Sequence, residues 1–145
     1  MDITPYLNLL RDKNGSDLFF TVGSPVKIKI EGTINSVGKT ELSGEIAKAA
    51  AYSIMNEKQI QAFEDTLESD FAIALADKSA RFRVNIFRQR GDVGMVLRRI
   101  PVDIPSLDDL GLPDILSELI MHKRGLLLMV GATGSGKSTT LAAMI

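Results

Sequence analysis

The sequence contains no cysteine, only one histidine and no apolar run long enough to cross a bilayer. The absence of cysteine excludes a disulfide framework and a thiolate metal site, and it is compatible with a reducing cytoplasm. The longest apolar stretch, GLLLMVGA at residues 125–132, is far shorter than the roughly 20 residues of a membrane-spanning helix. The amino terminus has no basic segment before an apolar run, unlike a signal peptide. We therefore expect no direct membrane insertion.

A strong excess of charge of either sign is also absent. The 145 residues carry a formal net charge of -1, and 45% are hydrophobic and 24% charged, which is typical of folded globular proteins. This balance argues against a surface built as a whole to attract nucleic acid or anionic lipid. We expect no nucleic-acid partner, although local charged patches are compatible with the composition.

The first hundred residues predict a small α+β domain. Thr4 followed by Pro5 is typical of an N-cap and predicts a short helix that stops at Asn14. Residues 17–37 then alternate with period two, as in VKIKIEG, and predict two or three antiparallel strands.

Two helices are predicted to follow, over residues 43–55 and from Asn56 onward. Asn56 and Gln59 have the spacing of a capping box, and Ile60, Phe63 and Leu67 are predicted to share the buried face. The segments DFAIAL, ARFRVNIF and VGMVLRRI then alternate as strands, with a hairpin turn in RQRGDVG.

Two prolines, Pro101 and Pro105, mark the predicted domain boundary, so that residues 1–100 form the first domain. Residues 101–124 are then a linker and a helix. That helix, PDILSELIMHK, is expected to bury Ile115, Leu116, Leu119 and Ile120. The run LLLMV that follows Gly125 is typical of a central strand covered on both faces of a parallel sheet.

The segment GATGSGKS at residues 131–138 has the pattern of a phosphate-binding loop between a strand and a helix. Glycines let the backbone N–H groups turn toward an anion, and the helix N-terminus favours negative charge. Lys137 is expected to reach the β- and γ-phosphates of ATP and to be catalytic, and Ser138 to place its hydroxyl on Mg²⁺. The predicted nucleotide-binding residues are Gly131, Ala132, Thr133, Gly134, Ser135, Gly136, Lys137, Ser138 and Thr139.

A glycine-rich turn can also merely join a strand to a helix, but the lysine and hydroxyl in register favour nucleotide binding. Hydrolysis further requires an acidic residue on a later strand and a group that orients the attacking water. We expect those groups to lie beyond Ile145, so that the 145 residues are the front part of a longer protein and are inactive alone.

The segment VGATGSGKSTTLAAMI resembles the nucleotide loop of the PilT/PilU family of type IV pilus motors, within the secretion ATPases. The resemblance covers nearly the whole chain, through GSDLFFTVGSPVKIKIEG, RFRVNIFRQR and IPSLDDLGLP. The segment VGMVLRRI, and Ala132 where PilT-type members usually have proline, make PilU the closer match.

The resemblance implies a PAS-like N-terminal domain over residues 1–100 and, over residues 125–145, the start of an α/β RecA-like ATPase domain. It also implies a hexameric ring that uses ATP and Mg²⁺ to power pilus retraction in twitching motility. The implied partners are further copies of the chain, the inner-membrane platform of the type IV pilus and a related motor ATPase. The implied location is cytoplasmic and peripheral to the inner membrane.

Six arginines fall within nineteen residues that contain one acidic group, Asp92. They are Arg81, Arg83, Arg88, Arg90, Arg98 and Arg99. Such a cluster can be a solvated sheet face, a nucleic-acid patch or a phosphate-facing set. The resemblance favours the last, because family members use arginines of the N-terminal domain to contact nucleotide phosphates. Arg83 and Arg98 match those positions and are expected to be catalytic, with Arg81 and Arg99 in reserve.

Three classes of function remain open: a motor ATPase for pilus retraction or for another secretion-type process, a regulatory or adaptor subunit that binds ATP without turnover, and a RecA-like nucleic-acid motor. The balanced charge disfavours the third class. His122 is expected to be solvated, and Asp108 and Asp109 are expected to form the exposed first turn of a helix.

Overall fold

In the computed structural model, which describes residues 1–101, 104–132 and 135–145, the chain divides into two units, Met1–Val102 and Asp103–Ile145. The first unit holds three helices and all six strands found among the described residues, and the second holds two short helices. No helix in these ranges is long and apolar enough to cross a membrane.

The first unit is built on a six-stranded antiparallel sheet. Its strands are β1 (Asp17–Phe20), β2 (Val26–Ile30), β3 (Thr33–Val37), β4 (Glu68–Ala74), β5 (Arg81–Gln89) and β6 (Asp92–Ile100). Their order across the sheet is β3-β2-β1-β6-β5-β4, so the first strand pairs with the last in the middle of the sheet. The antiparallel α+β architecture predicted from the alternating segments is confirmed.

Alternation along the strands gives the sheet one buried face and one exposed face. On β5, Phe82, Val84 and Ile86 are buried, whereas Arg81 and Arg83 are exposed, because successive side chains of a strand point to opposite faces. The helices α1 (Thr4–Asp12), α2 (Gly44–Tyr52) and α3 (Glu57–Thr66) contribute apolar residues to the same core as the buried strand residues. The face that carries Arg81 and Arg83 is therefore the one without helices in this unit.

The helix termini confirm one cap predicted from the sequence and contradict another. At α3, the Asn56 side chain accepts a hydrogen bond from the Gln59 N–H, and the Gln59 side chain accepts one from the Asn56 N–H, each at 2.9 Å. This confirms the predicted capping box. At α1 the prediction is wrong, because Ile3 occupies the cap position and Thr4 is already helical. The Thr4 N–H donates instead to the Asp2 carboxylate at 2.9 Å.

The buried face of α3 is narrower than predicted. Phe63 is fully buried and Ile60 is partly buried, but Leu67 is 44% exposed. Leu67 ends the helix with a left-handed backbone, at φ 63°, so the helical period that would have placed it beside Phe63 no longer applies.

The hairpin between β5 and β6 has a two-residue turn at Arg90 and Gly91, between the paired residues Gln89 and Asp92. Both turn residues have positive φ, at 55° and 89°, which is the type I′ turn that matches the twist of antiparallel strands. The predicted glycine turn is confirmed at this position.

The second unit contains α4 (Ile115–Leu119) and α5 (Lys137–Ala143). The prediction that α4 and its neighbour Ile120 bury an apolar face is wrong, since Ile115, Leu119 and Ile120 are exposed and Leu116 is only partly buried. A helix of five residues has little more than one turn and cannot build a continuous apolar stripe.

The apolar run at residues 126–130 is not a strand in the structure. Leu126, Leu128 and Val130 are 83%, 70% and 90% exposed. A central strand requires neighbours that satisfy its N–H and C=O groups, and the described part of the second unit supplies no strand to pair with it. The predicted start of α5 near Gly136 is confirmed.

Candidate functional site

The glycine-rich segment lies in the second unit and leads directly into α5. Gly136 is the residue before the helix and has φ 86°, a left-handed conformation that favours glycine. At Gly131, an added Cβ would lie 2.7 Å from the Ser135 side-chain oxygen, so a larger residue would displace that side chain. Thr133 and Gly134, also predicted to bind nucleotide, lie outside the described residues.

Lys137 folds back over the start of this segment. Its ammonium group donates hydrogen bonds to the carbonyl oxygens of Gly131 at 2.8 Å and Ala132 at 2.6 Å. The Ser135 N–H also donates to the Ala132 carbonyl, at 3.2 Å. The positive charge of Lys137 is therefore held at the start of the glycine-rich segment by two neutral carbonyl acceptors. An anion is a stronger, charged acceptor and can replace them.

Ser138 and Thr139 lie in the first turn of α5, immediately after Lys137, and both are exposed. A single hydroxyl fits Mg²⁺, because this ion keeps several waters and is held largely by phosphate oxygens with few protein ligands. Among the described residues, no cluster of three or more His, Cys, Asp or Glu side chains forms a metal site by itself.

Arg83 and Arg98 lie in the first unit, and the structure brings them together. They form a directly opposed cross-strand pair between β5 and β6, on the exposed face of the sheet. With Asp70, Asn85 and Val96 they line a surface depression of about 350 Å³. Two like charges directly opposite each other are unfavourable without a counter-charge, and each arginine has one.

Asp70 on β4 is the counter-charge for Arg83. The Arg83 Nε donates to both Asp70 carboxylate oxygens at 3.0 and 3.1 Å, and its Nη2 donates to Asp70 Oδ2 at 2.6 Å. These hydrogen bonds hold the pKa of the Asp70 carboxyl below its usual value and raise the pKa of the Arg83 guanidinium.

Asp17 on β1 is the counter-charge for Arg98. It is the directly opposed residue on the neighbouring strand, and its Oδ1 accepts a hydrogen bond from Arg98 Nε at 3.0 Å. The other oxygen accepts from the Ser16 hydroxyl at 2.8 Å. Asp17 is only 5% exposed, so its carboxylate is a fixed partner, whereas the Arg98 side chain is 69% exposed.

The reserve arginines separate on the two faces of the sheet. Arg81 pairs with Ile100 and lies on the same face as Arg83, two residues along β5. Arg99 pairs with Phe82, which places it on the helix-covered face, where it donates a hydrogen bond to Asn14. The structure therefore groups Arg81, Arg83 and Arg98, and it sets Arg99 apart.

The sequence analysis did not single out Asp17 or Asp70. One signal was available for Asp70, because it alternates with Phe71 and Ile73 in the segment DFAIAL and so belongs to the exposed face. Among the remaining candidates, His122 and Asp108 are exposed, and Asp109 accepts hydrogen bonds from the Ser106 hydroxyl and N–H. Those bonds lower the pKa of the Asp109 carboxyl and give it a local turn-capping role.

Comparison with curated proteins gives relatives along the whole chain. The type IV pilus ATPase PilU of Pseudomonas aeruginosa is 50% identical over 145 residues, which cover 100% of this chain and 38% of PilU. The type IV pilus retraction ATPase PilT of the same organism is 40% identical over 145 residues, which cover 100% of this chain and 42% of PilT. The chain therefore spans about two fifths of the length of these relatives.

Solved structures agree with these relatives. A crystal structure of the pilus retraction motor PilT with bound ADP matches with a TM-score of 0.87 and 38% identity, over 99% of this chain and 42% of that one. The ATPase DotB of Legionella pneumophila matches with a TM-score of 0.78 and 28% identity, over 95% of this chain and 39% of that one. The family model described as "Type II/IV secretion system protein" matches residues 3–145. The chain belongs to this family of secretion ATPases and, within it, to the PilT/PilU group, with higher identity to the PilU relative than to the PilT relative.

Proposed function

We propose that this chain is the nucleotide-binding part of an ATPase motor that drives type IV pilus retraction. The observation that carries the proposal is the position of Lys137. Its ammonium group is held by two backbone carbonyls at the start of the glycine-rich segment. A phosphate chain offers this charge better acceptors than neutral carbonyls do. The names of the PilU and PilT relatives, and the ADP in the PilT crystal structure, support the same function.

In this proposal residues 131–139 bind the phosphates of ATP, and Lys137 contacts the β- and γ-phosphates. Ser138 holds Mg²⁺, which neutralises phosphate charge when it is bound. Arg83 and Arg98 contact the phosphate chain of a nucleotide, because the planar guanidinium gives two parallel hydrogen bonds to phosphate oxygens.

We assign residues 1–100 to a PAS-like domain, residues 101–124 to a linker and helix, and residues 125–145 to the start of a RecA-like ATPase domain. The working motor is a hexameric ring that acts with the inner-membrane pilus platform and a related motor ATPase. The 145 residues bind nucleotide without turning it over, because the described part of the second unit has no strand to carry the acidic Mg²⁺ ligand.

The test is a titration of the chain with a fluorescent ATP analogue in Mg²⁺ buffer. Lys137→Ala is expected to weaken binding by about 10- to 100-fold, which is the value of one hydrogen bond to a charged group. Lys123→Ala is the matched control, since it removes the same charge from an exposed position in the same unit. Equal affinities for Lys137→Ala and Lys123→Ala would refute the role of the loop.

A further inference from the structure

We infer that Asp17 and Asp70 give the two opposed arginines different tasks: Asp17 holds Arg98 ready for an anion, and Asp70 masks Arg83 until a polyphosphate displaces it. The inference rests on the proposed function, in which Arg83 and Arg98 contact the phosphate chain of a nucleotide. It adds two positioning residues that neither the sequence motifs nor the relatives' names point to.

Arg98 is oriented and still available. A buried carboxylate fixes it through Nε alone, at 3.0 Å, and among the described residues its two terminal amino groups have no hydrogen-bond acceptor. The carboxylate itself is held by the Ser16 hydroxyl. A guanidinium anchored at Nε is already restricted in orientation, so less side-chain entropy is lost when an anion binds its terminal amino groups.

Arg83 is occupied. Three hydrogen bonds join its Nε and Nη2 to both oxygens of Asp70, the fork arrangement that a phosphate would otherwise use. Asp70 is not fixed as Asp17 is, since its side chain is 41% exposed against 8% for Asp17. An exposed ion pair contributes at most about 1 kcal/mol, so a more highly charged anion can replace it.

The two tasks lead to an order of binding. An incoming phosphate first meets the free amino groups of Arg98, and the next phosphate of the same chain then competes with Asp70 for Arg83. Both arginines line the same depression, so one chain of phosphates can reach both. A single monoanion has no second group with which to displace Asp70. The pair should therefore discriminate in favour of polyphosphates, and Asp70 sets the threshold.

The experiment isolates this surface from the loop by using the Lys137→Ala background and inorganic tripolyphosphate as the probe. Arginine Nε–H signals in a ¹⁵N NMR titration report Arg98 and Arg83 separately. The Arg98 signal is expected to move at lower tripolyphosphate concentration than the Arg83 signal. Acetate, a monoanion, is expected not to move the Arg83 signal beyond the shift that sodium chloride produces at the same ionic strength.

Asp70→Asn removes the mask and is expected to tighten tripolyphosphate binding by about three- to tenfold, with the Arg83 and Arg98 signals now moving together. Asp65→Asn is the control, because it removes the same charge from an exposed site on α3. If Asp70→Asn tightens tripolyphosphate binding no more than Asp65→Asn does, the masking role is wrong. It is also wrong if the Arg83 and Arg98 signals move together while Asp70 is present.

The role of Asp17 is tested by Asp17→Asn and by Arg98→Lys, which keeps the positive charge but loses the Nε donor. Each is expected to weaken binding at least about threefold, and Arg98→Lys covers the case in which the buried Asp17→Asn does not fold. Wild-type affinity in folded Arg98→Lys would overturn the positioning role. Failure of the loop proposal shows only in ATP titrations of the chain with Lys137 present, so the two outcomes are distinguishable.

Discussion

The clearest prediction on stability compares two apolar side chains, one from each unit. Phe82 lies on β5 in the middle of the buried sheet face and is 0% exposed, whereas Leu128 is 70% exposed and lies outside any helix or strand. Phe82→Ala is expected to lower the free energy of unfolding of the first unit by about 3–5 kcal/mol, since it leaves a cavity among close-packed neighbours. Leu128→Ala should change it by less than about 0.5 kcal/mol.

The loss expected for Phe82→Ala is a large part of the free energy of unfolding of a unit of this size. Small domains unfold with about 5–15 kcal/mol, and each kcal/mol shifts the melting temperature by roughly 4–8 °C. Phe82→Ala should therefore lower the melting temperature by about 12–40 °C. A loss of about 5 kcal/mol would unfold a unit at the lower end of this stability range. Phe82→Leu therefore provides a milder change of about 1 kcal/mol.

The assay is circular dichroism during urea and thermal unfolding of the three variants and the parent chain. A Leu128→Ala variant as destabilised as Phe82→Ala would refute the assignment of the core to the first unit. Equal stability of Phe82→Leu, Leu128→Ala and the parent would also contradict it, since a fully buried aromatic ring cannot be truncated without loss of contacts.

Two further predictions concern Asp70 and Asn56. The folded-state pKa of Asp70 lies below the ordinary 3.8, so its ion pair with Arg83 persists above that pKa and is lost as the pH falls through it. Arg83→Ala should return the pKa of Asp70 toward 3.8 in a carboxyl NMR titration. An unchanged titration midpoint would show that the hydrogen bonds to Arg83 do not cause the shift. Asn56→Ala should cost about 1 kcal/mol in urea unfolding through loss of the capping box, whereas the exposed Asn35→Ala should not, and equal losses would contradict the capping role.

Local chemistry explains which elements could be predicted from the sequence. The capping box at Asn56 and Gln59 and the turn at Gly91 depend on residues three or fewer positions apart. The alternation on β5 and β6 likewise depends only on neighbouring residues, so the two strands could be predicted from the sequence. Each of these signals is complete within one short segment.

The features that sequence reasoning missed depend on distant residues. The contact between Asp17 and Arg98 spans 81 positions, and it follows from the pairing of β1 with β6, which no local pattern reveals. The run at residues 126–130 failed for the opposite reason, since its apolar character indicates a strand only where partner strands exist. The Leu67 prediction failed because the helix ended one residue earlier.

The central pairing of β1 with β6 also has a consequence for how the first unit is made. Because β1 cannot complete its pairing until residues 92–100 have been synthesised, β1, β2 and β3 leave the ribosome as a partial sheet with the edge of β1 unpaired. Closing so long a loop costs conformational entropy before the strand contacts that offset this cost have formed. Such non-local topologies therefore fold slowly. The first unit should therefore acquire its structure late and all at once, and the exposed edge of β1 is the place where nascent chains of this protein would first aggregate.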